Sequence, residues 1–363
     1  MRKLATIRRI DAINPIPNAD AIEVATVGGW NVVVKKGQFA LNELALFLEI
    51  DSWVPHEIAP FLCKSKEPRE YLGVKGERLK TVRLRGQLSQ GLLLPLKEVW
   101  TKLVDTTVHM RPVDWDSFIA IVNDKWNAFE EFRDVDYSEQ LGIIKWEPQI
   151  PAQLAGLMKG NFPSFIQKTD QERIQNIKRQ FEDIAAASDE LFEITEKLDG
   201  SSMTVYWRDG EFGVCSRNID LKESDDNAFW KMAKSLNLKE KLDKYGRNIA
   251  LQGELIGPGI QGNQYGLTAH EFRIFDVYDI DNGCKQLPIE RSDTLFDLEL
   301  DNNQVPVIGV IRITASMTIA EILLNAEGAS ALNGSEREGL VFKSITREFS
   351  FKAISNKWLL DNE

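Results

Sequence analysis

The chain has 363 residues, of which 43% are hydrophobic and 27% charged, a balance typical of globular proteins with about two domains. It contains no run of about 18 uncharged apolar residues and does not start like a signal peptide, so we expect neither a membrane span nor export. Its three cysteines are far apart and lack CxxC spacing, which argues against a disulfide framework or a zinc site and predicts a cytoplasmic, reducing setting.

Charge is distributed unevenly along the chain. The net charge is −11, but residues 1–110 carry +4 and the remainder carries −15. Basic side chains are densest between Lys64 and Arg85, where eight Lys or Arg residues accompany three Glu. Because fields decay over about 8 Å at physiological salt, such a patch can bind phosphates even on an acidic protein. A solvated charged face is an equal interpretation.

The first hundred residues have the pattern of short strands separated by turns. A Gly28-Gly29 pair between two apolar runs is typical of a β-hairpin. With few helical periods between the runs, the pattern predicts a small barrel of about five strands, because closure removes exposed strand edges. The expected strands are Ile22–Val27, Trp30–Val34, Leu44–Ile50, Leu79–Arg85 and Gly91–Pro95.

One of these expected strands carries two arginines. Strand side chains alternate between faces, so Val82 and Leu84 are expected on one face and Arg83 and Arg85 on the other. Two outward arginines on a barrel wall can hold a nucleic-acid backbone, whereas simple solubility explains them equally well.

The rest of the chain has an α+β pattern. Residues 105–165 are acidic, rich in tryptophan and interrupted by prolines, which predicts a connector with local structure. Thr169–Glu172 has the pattern of a capping box and is followed by apolar residues at helical spacing, so we expect a helix to begin there. Helices are also expected around 227–242 and 319–325. The expected strands are 193–195, 203–207, 211–216, 249–256 and 272–278.

The segment Glu196-Lys197-Leu198-Asp199-Gly200 combines a lysine, a carboxylate and a glycine at an expected strand end. A free lysine has a pKa of about 10.4, so a nucleophilic lysine needs a downward shift of about 3 units, which burial or a neighbouring cation can supply. Asp199 opposes that shift if it pairs with the ammonium group, but helps if it holds a metal ion instead. A KxDG tetrad arises by chance with a probability on the order of 0.1, so it is weak evidence alone.

Further segments change this assessment. Glu254 follows a glycine on an apolar run, Phe275 lies in an aromatic run that can stack on a base, and Glu338 and Lys352 belong to two later runs. In this order and spacing, the segments resemble motifs I, III, IIIa, IV and V of the covalent nucleotidyltransferases, the superfamily of ligases and mRNA-capping enzymes. Ser216-Arg217-Asn218 resembles the additional arginine motif of RNA ligases.

The resemblance is most specific to one branch, the ATP-dependent nick-sealing RNA ligases of the Deinococcus/Naegleria type. Residues 162–170 and 257–263 also resemble this branch, so the similarity covers nearly the whole chain. It implies an N-terminal OB-fold β-barrel at 1–105, the connector at 106–165 and a ligase-type nucleotidyltransferase domain at 166–363.

Three alternatives stay open: a DNA ligase, a capping-like guanylyltransferase, and a non-catalytic RNA-binding protein with a decayed domain. DNA ligases and capping enzymes usually carry an arginine where this chain has Ser202, and both append an OB domain after motif V. Here about ten residues follow Lys352. The chain departs from its own branch at Ser350, where many relatives have a second lysine, for which Lys357 is a weaker substitute.

The resemblance implies ATP as the AMP donor and Mg²⁺ or Mn²⁺ as the metal ion. Lys197 would attack the α-phosphorus of ATP, AMP would pass to an RNA 5′-phosphate, and an RNA 3′-OH would join the ends with release of AMP. Asp199, Glu254 and Glu338 would hold the metal, directly or through its waters. Lys352 would contact the α-phosphate and lower the pKa of Lys197, because neighbouring cations depress each other's pKa.

The same resemblance implies further nucleotide contacts. Glu196 and Gly200 flank the lysine. Phe275 would stack on adenine, Arg217 would bind a ribose or a substrate phosphate, and Arg173 would contact the triphosphate tail. The implied partner is RNA, as a nicked duplex with RNA on the 3′-OH side, and the implied state is a monomer without membrane association.

Overall fold

The computed structural model describes residues 2–64, 66–104, 115–116, 119, 135–147 and 156–362. The chain forms two compact units, Met1–Pro148 with Leu360–Glu363, and Gln149–Leu359. The boundaries at 105 and 165 stay a prediction, since much of the expected connector lies outside the described residues. Among the helices of the described residues, none is both long and apolar enough to span a membrane.

The first unit consists of short antiparallel strands, as the turn-rich sequence predicts. Its strands are β1 (Ala5–Arg9), β2 (Ala12–Pro15), β3 (Ile22–Val27), β4 (Trp30–Lys35), β5 (Leu44–Leu48), β6 (Ser52–Pro55), β7 (Arg69–Tyr71), β8 (Val74–Arg78), β9 (Thr81–Leu84), β10 (Gln87–Gln90), β11 (Leu92–Pro95) and β12 (Ile144–Lys145). They pair in the orders β1-β5-β11, β2-β3-β4, β9-β10 and β12-β6-β8-β7. Helix α1 (Leu96–Val104) follows β11.

Two hairpins test the sequence interpretation of this unit. The β3–β4 hairpin is confirmed, and Gly28 and Gly29 have φ values of 58° and 90°, which glycine adopts without a steric penalty. The strand predicted for Leu79–Arg85 is shorter and ends at Leu84. Arg85, with φ 51°, lies in the turn before β10, so its assignment to the same strand face as Arg83 is wrong.

Exposure does not distinguish the two expected faces of this hairpin. Val82 and Leu84 are each 43% exposed, and Arg83 and Arg85 are exposed as well. The partner strand β10 is covered instead, since Ser89, which pairs with Val82, is buried and accepts a hydrogen bond from a backbone N–H of β4 at 3.0 Å. The basic residues therefore lie at the exposed end of a hairpin whose second strand packs against β4.

The second unit contains two antiparallel-rich sheets. Its strands are β13 (Met158–Asn161), β14 (Glu172–Arg173), β15 (Leu191–Lys197), β16 (Ser201–Arg208), β17 (Glu211–Cys215), β18 (Ile219–Leu221), β19 (Ile249–Ile256), β20 (Glu271–Asp279), β21 (Cys284–Lys285), β22 (Val307–Arg312), β23 (Gly339–Ser344) and β24 (Ser350–Ile354). The seven-stranded sheet has the order β13-β18-β17-β16-β19-β20-β21, and the five-stranded sheet the order β14-β24-β23-β15-β22.

Helices cover these sheets and bury their apolar faces. Met203 and Val205 of β16 belong to one core with Trp230 and Leu242, and Phe192 of β15 belongs to another. The helices are α2 (Lys178–Ala187), α3 (Ala228–Ser235), α4 (Leu238–Tyr245), α5 (Pro288–Asp297), α6 (Ile319–Ala326) and α7 (Asn356–Asn362). The α+β pattern is therefore confirmed.

The helix start predicted at Thr169–Glu172 is wrong. Helix α2 begins at Lys178, preceded by Ile177 as N-cap residue. Glu172 and Arg173 instead form β14, which pairs in parallel with Phe351 and Lys352 of β24. This pairing joins segments far apart in the sequence, so it overrides the local capping pattern.

Candidate active site

Lys197 is the last residue of β15 and lies where the chain crosses from the five-stranded to the seven-stranded sheet. It pairs in register with Gly339, so Glu338 stands beside it at the start of β23. The Nζ atom of Lys197 lies 2.7 Å from both carboxylate oxygens of Glu338. The structure therefore joins the expected nucleophile and one expected metal ligand, 141 residues apart in the sequence.

Close backbone approach explains the glycine after Asp199. A Cβ atom at Gly200 would lie 2.5 Å from the carbonyl oxygen of Leu255 and 2.9 Å from the Cγ atom of Glu254. Both distances are shorter than van der Waals contact, so a larger residue would push the segment after Lys197 away from β19. The glycine thus lets the turn between β15 and β16 lie directly against β19 beside Lys197.

Asp199 and Glu254 complete an electrostatic cluster with Lys197 and Glu338. Burial and, next, the charge of Glu338 raise the pKa of Asp199 to about 7, against the opposing effect of Lys197. Burial likewise raises the pKa of Glu254 to about 8, with Lys197 opposing and Glu338 and Asp199 contributing. Both carboxyl groups thus titrate near neutral pH, as expected where like charges are crowded out of water.

The lysine itself is held in its charged form. Burial alone would lower the pKa of Lys197, but Glu338, Glu254 and Asp199 raise it above its ordinary value. The backbone N–H of Asp199 donates to the hydroxyl oxygen of Tyr265 at 2.8 Å, a contact that sequence analysis missed because Tyr265 lies in a loop 66 residues away.

Glu196 lies on the other side of the strand from Lys197, because neighbouring strand residues face opposite ways. Its side chain is 2% exposed, and its Oε2 atom accepts a hydrogen bond from the backbone N–H of Ala331 at 2.8 Å. This contact ties the Ala331 loop to β15. Nucleotide binding by Glu196 stays a prediction.

Lys352 shares a sheet face with Lys197. The register aligns Lys352 with Val341, and Val341 with Thr195, two residues before Lys197 on β15. Paired residues point to the same face, and two strand spacings together with an offset of two residues along the strand put the lysine backbones about 12 Å apart. Arg173 pairs with Lys352 from the next strand and is 8% exposed. The chain thus aligns these three cationic side chains across the sheet.

Phe275 is the extra residue of a β-bulge. Gln252 pairs with Asp276 and Gly253 with Ile274, which leaves Phe275 without a counterpart on β19. Its half-buried ring packs in the cluster that contains Leu198. A bulge redirects a side chain locally, so this position can present an aromatic face next to the Lys197 segment.

A buried network of ion pairs and hydrogen bonds holds the backbone at the Phe275 bulge. The Phe275 carbonyl oxygen accepts hydrogen bonds from Lys343 and, at 3.3 Å, from Arg291. Lys343 also binds Asp276, and Arg291 binds the carboxylate of Glu193 at 2.8 Å. Sequence analysis missed this network because its members come from four elements.

Arg217 follows β17 and forms an ion pair of 2.8 Å with Asp170. It is close enough to Glu254 to lower the pKa of that carboxyl group, against the larger effect of burial. The additional arginine expected from the sequence therefore lies at the edge of the cluster rather than in its centre.

Comparisons with known proteins identify the family of the chain. Residues 190–358 match the RNA ligase family model, and residues 4–96 match an OB-fold domain. The search of curated proteins found no relative of the chain.

Several solved structures of Naegleria gruberi RNA ligase resemble the chain along its length. The structure with pyrophosphate has 42% sequence identity and a TM-score of 0.80, and the match covers 99% of this chain and 98% of that one. A mutant with ATP and Mn has 43% identity, 98% coverage of both chains and a TM-score of 0.81. A mutant with AMP and Mn has 42% identity, a TM-score of 0.81 and coverage of 99% and 98%. The matches confirm the predicted OB-fold domain followed by a ligase domain, and the chain therefore belongs to the RNA ligase family.

Proposed function

We propose that this RNA ligase works through a covalent lysyl-AMP intermediate on Lys197. The Nζ atom of Lys197 would attack the α-phosphorus of ATP, form a phosphoramidate bond and expel pyrophosphate. The AMP would then pass to the 5′-phosphate of an RNA end, and an RNA 3′-OH would attack that phosphorus, form the phosphodiester and release AMP. The observation that carries the proposal is the contact between Lys197 and Glu338 at 2.7 Å, inside a cluster with Asp199 and Glu254.

The cluster explains how the lysine could become reactive. As long as Glu338 faces the ammonium group, it stabilises the proton on Lys197. Were the carboxylates engaged by a cation, burial would dominate and lower the pKa of the lysine. Lys352, on the same sheet face, would add a second positive charge with the same effect.

Asp199, Glu254 and Glu338 supply only oxygen ligands, the type that Mg²⁺ and Mn²⁺ prefer. In the described ranges, no three Asp, Glu, His or Cys side chains by themselves form a group that could hold a metal ion. Phosphate oxygens and water would therefore have to complete the coordination, which suits a metal that arrives with ATP. A divalent cation there would neutralise charge on the phosphate.

The other nucleotide contacts are assigned by position. Phe275, at its bulge beside the Lys197 segment, would stack on adenine. Arg173 and Lys352 would face the phosphates, and Gly200, which allows the close approach to β19, would hold the Lys197–Asp199 segment in place beside the nucleotide. Glu196 would support the lysine through its strand.

For the biological substrate, we propose a nick in a duplex with RNA on the 3′-OH side, joined by a monomer in the cytoplasm. The family resemblance supports the nicked RNA substrate and the monomer. The free thiols of Cys63, Cys215 and Cys284 support the reducing setting of the cytoplasm. The OB-fold domain would bind the duplex through Arg83 and Arg85, whose side chains are exposed at the tip of the β9–β10 hairpin.

Incubation with α-labelled ATP and Mg²⁺ or Mn²⁺ tests the pathway. We expect label on the parent chain and none on Lys197→Ala. As a matched control, Lys239→Ala removes another lysine of the same unit and should leave labelling unchanged. Label from GTP instead of ATP would indicate a guanylyltransferase, and an unlabelled parent chain would refute the lysyl-AMP pathway. A panel of nicked RNA, DNA and hybrid duplexes then identifies the substrate.

A further inference from the structure

Arg291 of α5 is a buried cation that none of the proposed reaction steps uses. Its side chain is 1% exposed, so it cannot contact a bound nucleotide. Its Nη2 atom lies 2.9 and 2.8 Å from the two carboxylate oxygens of Glu193. A buried ion pair is often no more stabilising than apolar side chains of similar volume, so stability alone does not explain this pair.

The ion pair connects the strand of the nucleophile to the Phe275 bulge. Glu193 lies four residues before Lys197 on β15 and points to the same sheet face, because alternate residues of a strand share a face. The Nη1 atom of Arg291 donates to the carbonyl oxygen of Phe275 at 3.3 Å. One guanidinium group therefore links the backbone that carries Phe275 to the strand that carries Lys197.

We propose that Arg291 positions the Phe275 ring for stacking on adenine, and that its ion pair with Glu193 thereby determines how much the base contributes to the affinity for ATP. Arg291 is then a positioning residue that acts through Phe275. This inference rests on the adenine stacking by Phe275 proposed above.

The shape of the guanidinium group suits this role. Arginine presents its N–H donors in a rigid plane, whereas a lysine ammonium group is a point charge on a flexible stem. Lys343 also donates to the Phe275 carbonyl oxygen, but it is shared with Asp276. Because Lys343 pairs in register with Glu193, that carboxylate would draw Lys343 away from the bulge once Arg291 is absent. Loss of Arg291 therefore weakens both cationic contacts to the bulge.

The test separates the affinity for the base from the affinity for the phosphates. ATP and inorganic tripolyphosphate are each titrated, with Mg²⁺, into the full chain carrying Lys197→Ala, so that no ATP is consumed. The ratio of the dissociation constant of tripolyphosphate to that of ATP reports the contribution of the nucleoside. Stacking of a base on an aromatic side chain accounts for about 5- to 150-fold in affinity, so Phe275→Ala should lower the ratio by a factor in that range.

Arg291→Gln should lower the ratio about fivefold, the lower end of that range, because the ring stays near the base but loses its orientation. Arg291→Lys keeps the charge beside Glu193 but not the planar fork, so it should lower the ratio by a smaller factor and serves if Arg291→Gln does not fold. Combined with Phe275→Ala, Arg291→Gln should cause no further change, because a positioning residue has no effect once the side chain that it positions is absent. The affinity for tripolyphosphate should be the same in all these variants.

Arg347→Gln and Ile322→Ala are the matched controls. Arg347 pairs with Glu190 at 2.7 Å, so its replacement removes another arginine–glutamate pair, just before β15. Ile322 of α6 is 1% exposed and belongs to a different apolar cluster from Phe275, so its truncation destabilises the unit away from the bulge. Neither variant should change the ratio, and thermal melting gives the stability of every variant.

Three results would overturn the assignment: a ratio that the Arg291 variants leave unchanged, an equal effect of Arg291→Gln with and without Phe275, or an equal fall in the ratio for Ile322→Ala at the same loss of melting temperature. If Phe275→Ala leaves the ratio unchanged, adenine stacking by Phe275 fails and the assignment fails with it. If Phe275→Ala lowers the ratio but the Arg291 variants do not, only the assignment fails. Label transfer to Lys197 in the parent chain tests the lysyl-AMP pathway separately.

Discussion

Replacing Glu338 by glutamine should lower the pKa of Lys197. The substitution keeps the shape of the side chain but removes the charge that lies 2.7 Å from the lysine Nζ atom. Burial, which already favours the neutral amine, would then be opposed only by Asp199 and Glu254. The variant should therefore have a more reactive lysine towards a neutral reagent and yet lose metal-dependent adenylation.

The size of the effect follows from the distance. Two unit charges 2.7 Å apart interact by about 6 kcal/mol at an effective dielectric constant of 20, and by about 1.5 kcal/mol in water. The Lys197 side chain is 27% exposed, which weakens the interaction. Asp199 and Glu254 also ionise more readily once Glu338 is neutral, and their negative charge restores part of the stabilisation of the Lys197 ammonium group. The expected fall is therefore near the lower limit, about one to two pKa units.

The assay is the pH dependence of Lys197 acylation by a small amine-directed reagent, followed by mass spectrometry of the labelled peptide in the absence of ATP. The reaction follows the neutral amine, so its midpoint reports the pKa of the lysine. Glu336→Gln is the control, since Glu336 pairs with Lys357 at 3.3 Å and should not affect the midpoint. An unchanged or higher midpoint in Glu338→Gln would refute the electrostatic account of the site.

Two further predictions concern RNA binding by Arg83 and Arg85 and the buried ion network around Asp276. Arg83→Ala combined with Arg85→Ala should spare lysine adenylation, weaken RNA joining and make binding less dependent on salt; equal loss of adenylation and joining would contradict an RNA-binding role for the hairpin. Burial would raise the pKa of Asp276, but the charges of Lys343 and Lys285 hold that pKa at about 2. The carboxylate therefore contributes about 2 kcal/mol to the free energy of unfolding, and this contribution should be lost as pH falls from about 4 to about 2. Urea unfolding of Asp276→Asn should show a flatter acid limb and a loss of about 3 kcal/mol at pH 7, and an unchanged acid limb would contradict this assignment.

The local features of the fold could be predicted where short-range sterics decide. Gly28 and Gly29 specify the β3–β4 turn because both need positive φ. The capping pattern at Thr169–Glu172 predicts a helix start that the structure does not have. Glu172 and Arg173 instead gain backbone partners on β24, which no local pattern reveals. Alternation alone cannot show where a hairpin turns, so it predicts a strand position for Arg85, which lies in the turn.

The order and spacing of Lys197, Glu254, Glu338 and Lys352 are enough to predict lysine-based nucleotidyl transfer, because they resemble a known set of motifs. Which charges lie next to each other depends on the folded chain. The pairing of Lys197 with Glu338, and of Arg217 with Asp170, joins segments 141 and 47 residues apart. The protonation of the site depends on those distances and on burial, and neither is a property of any local stretch of sequence.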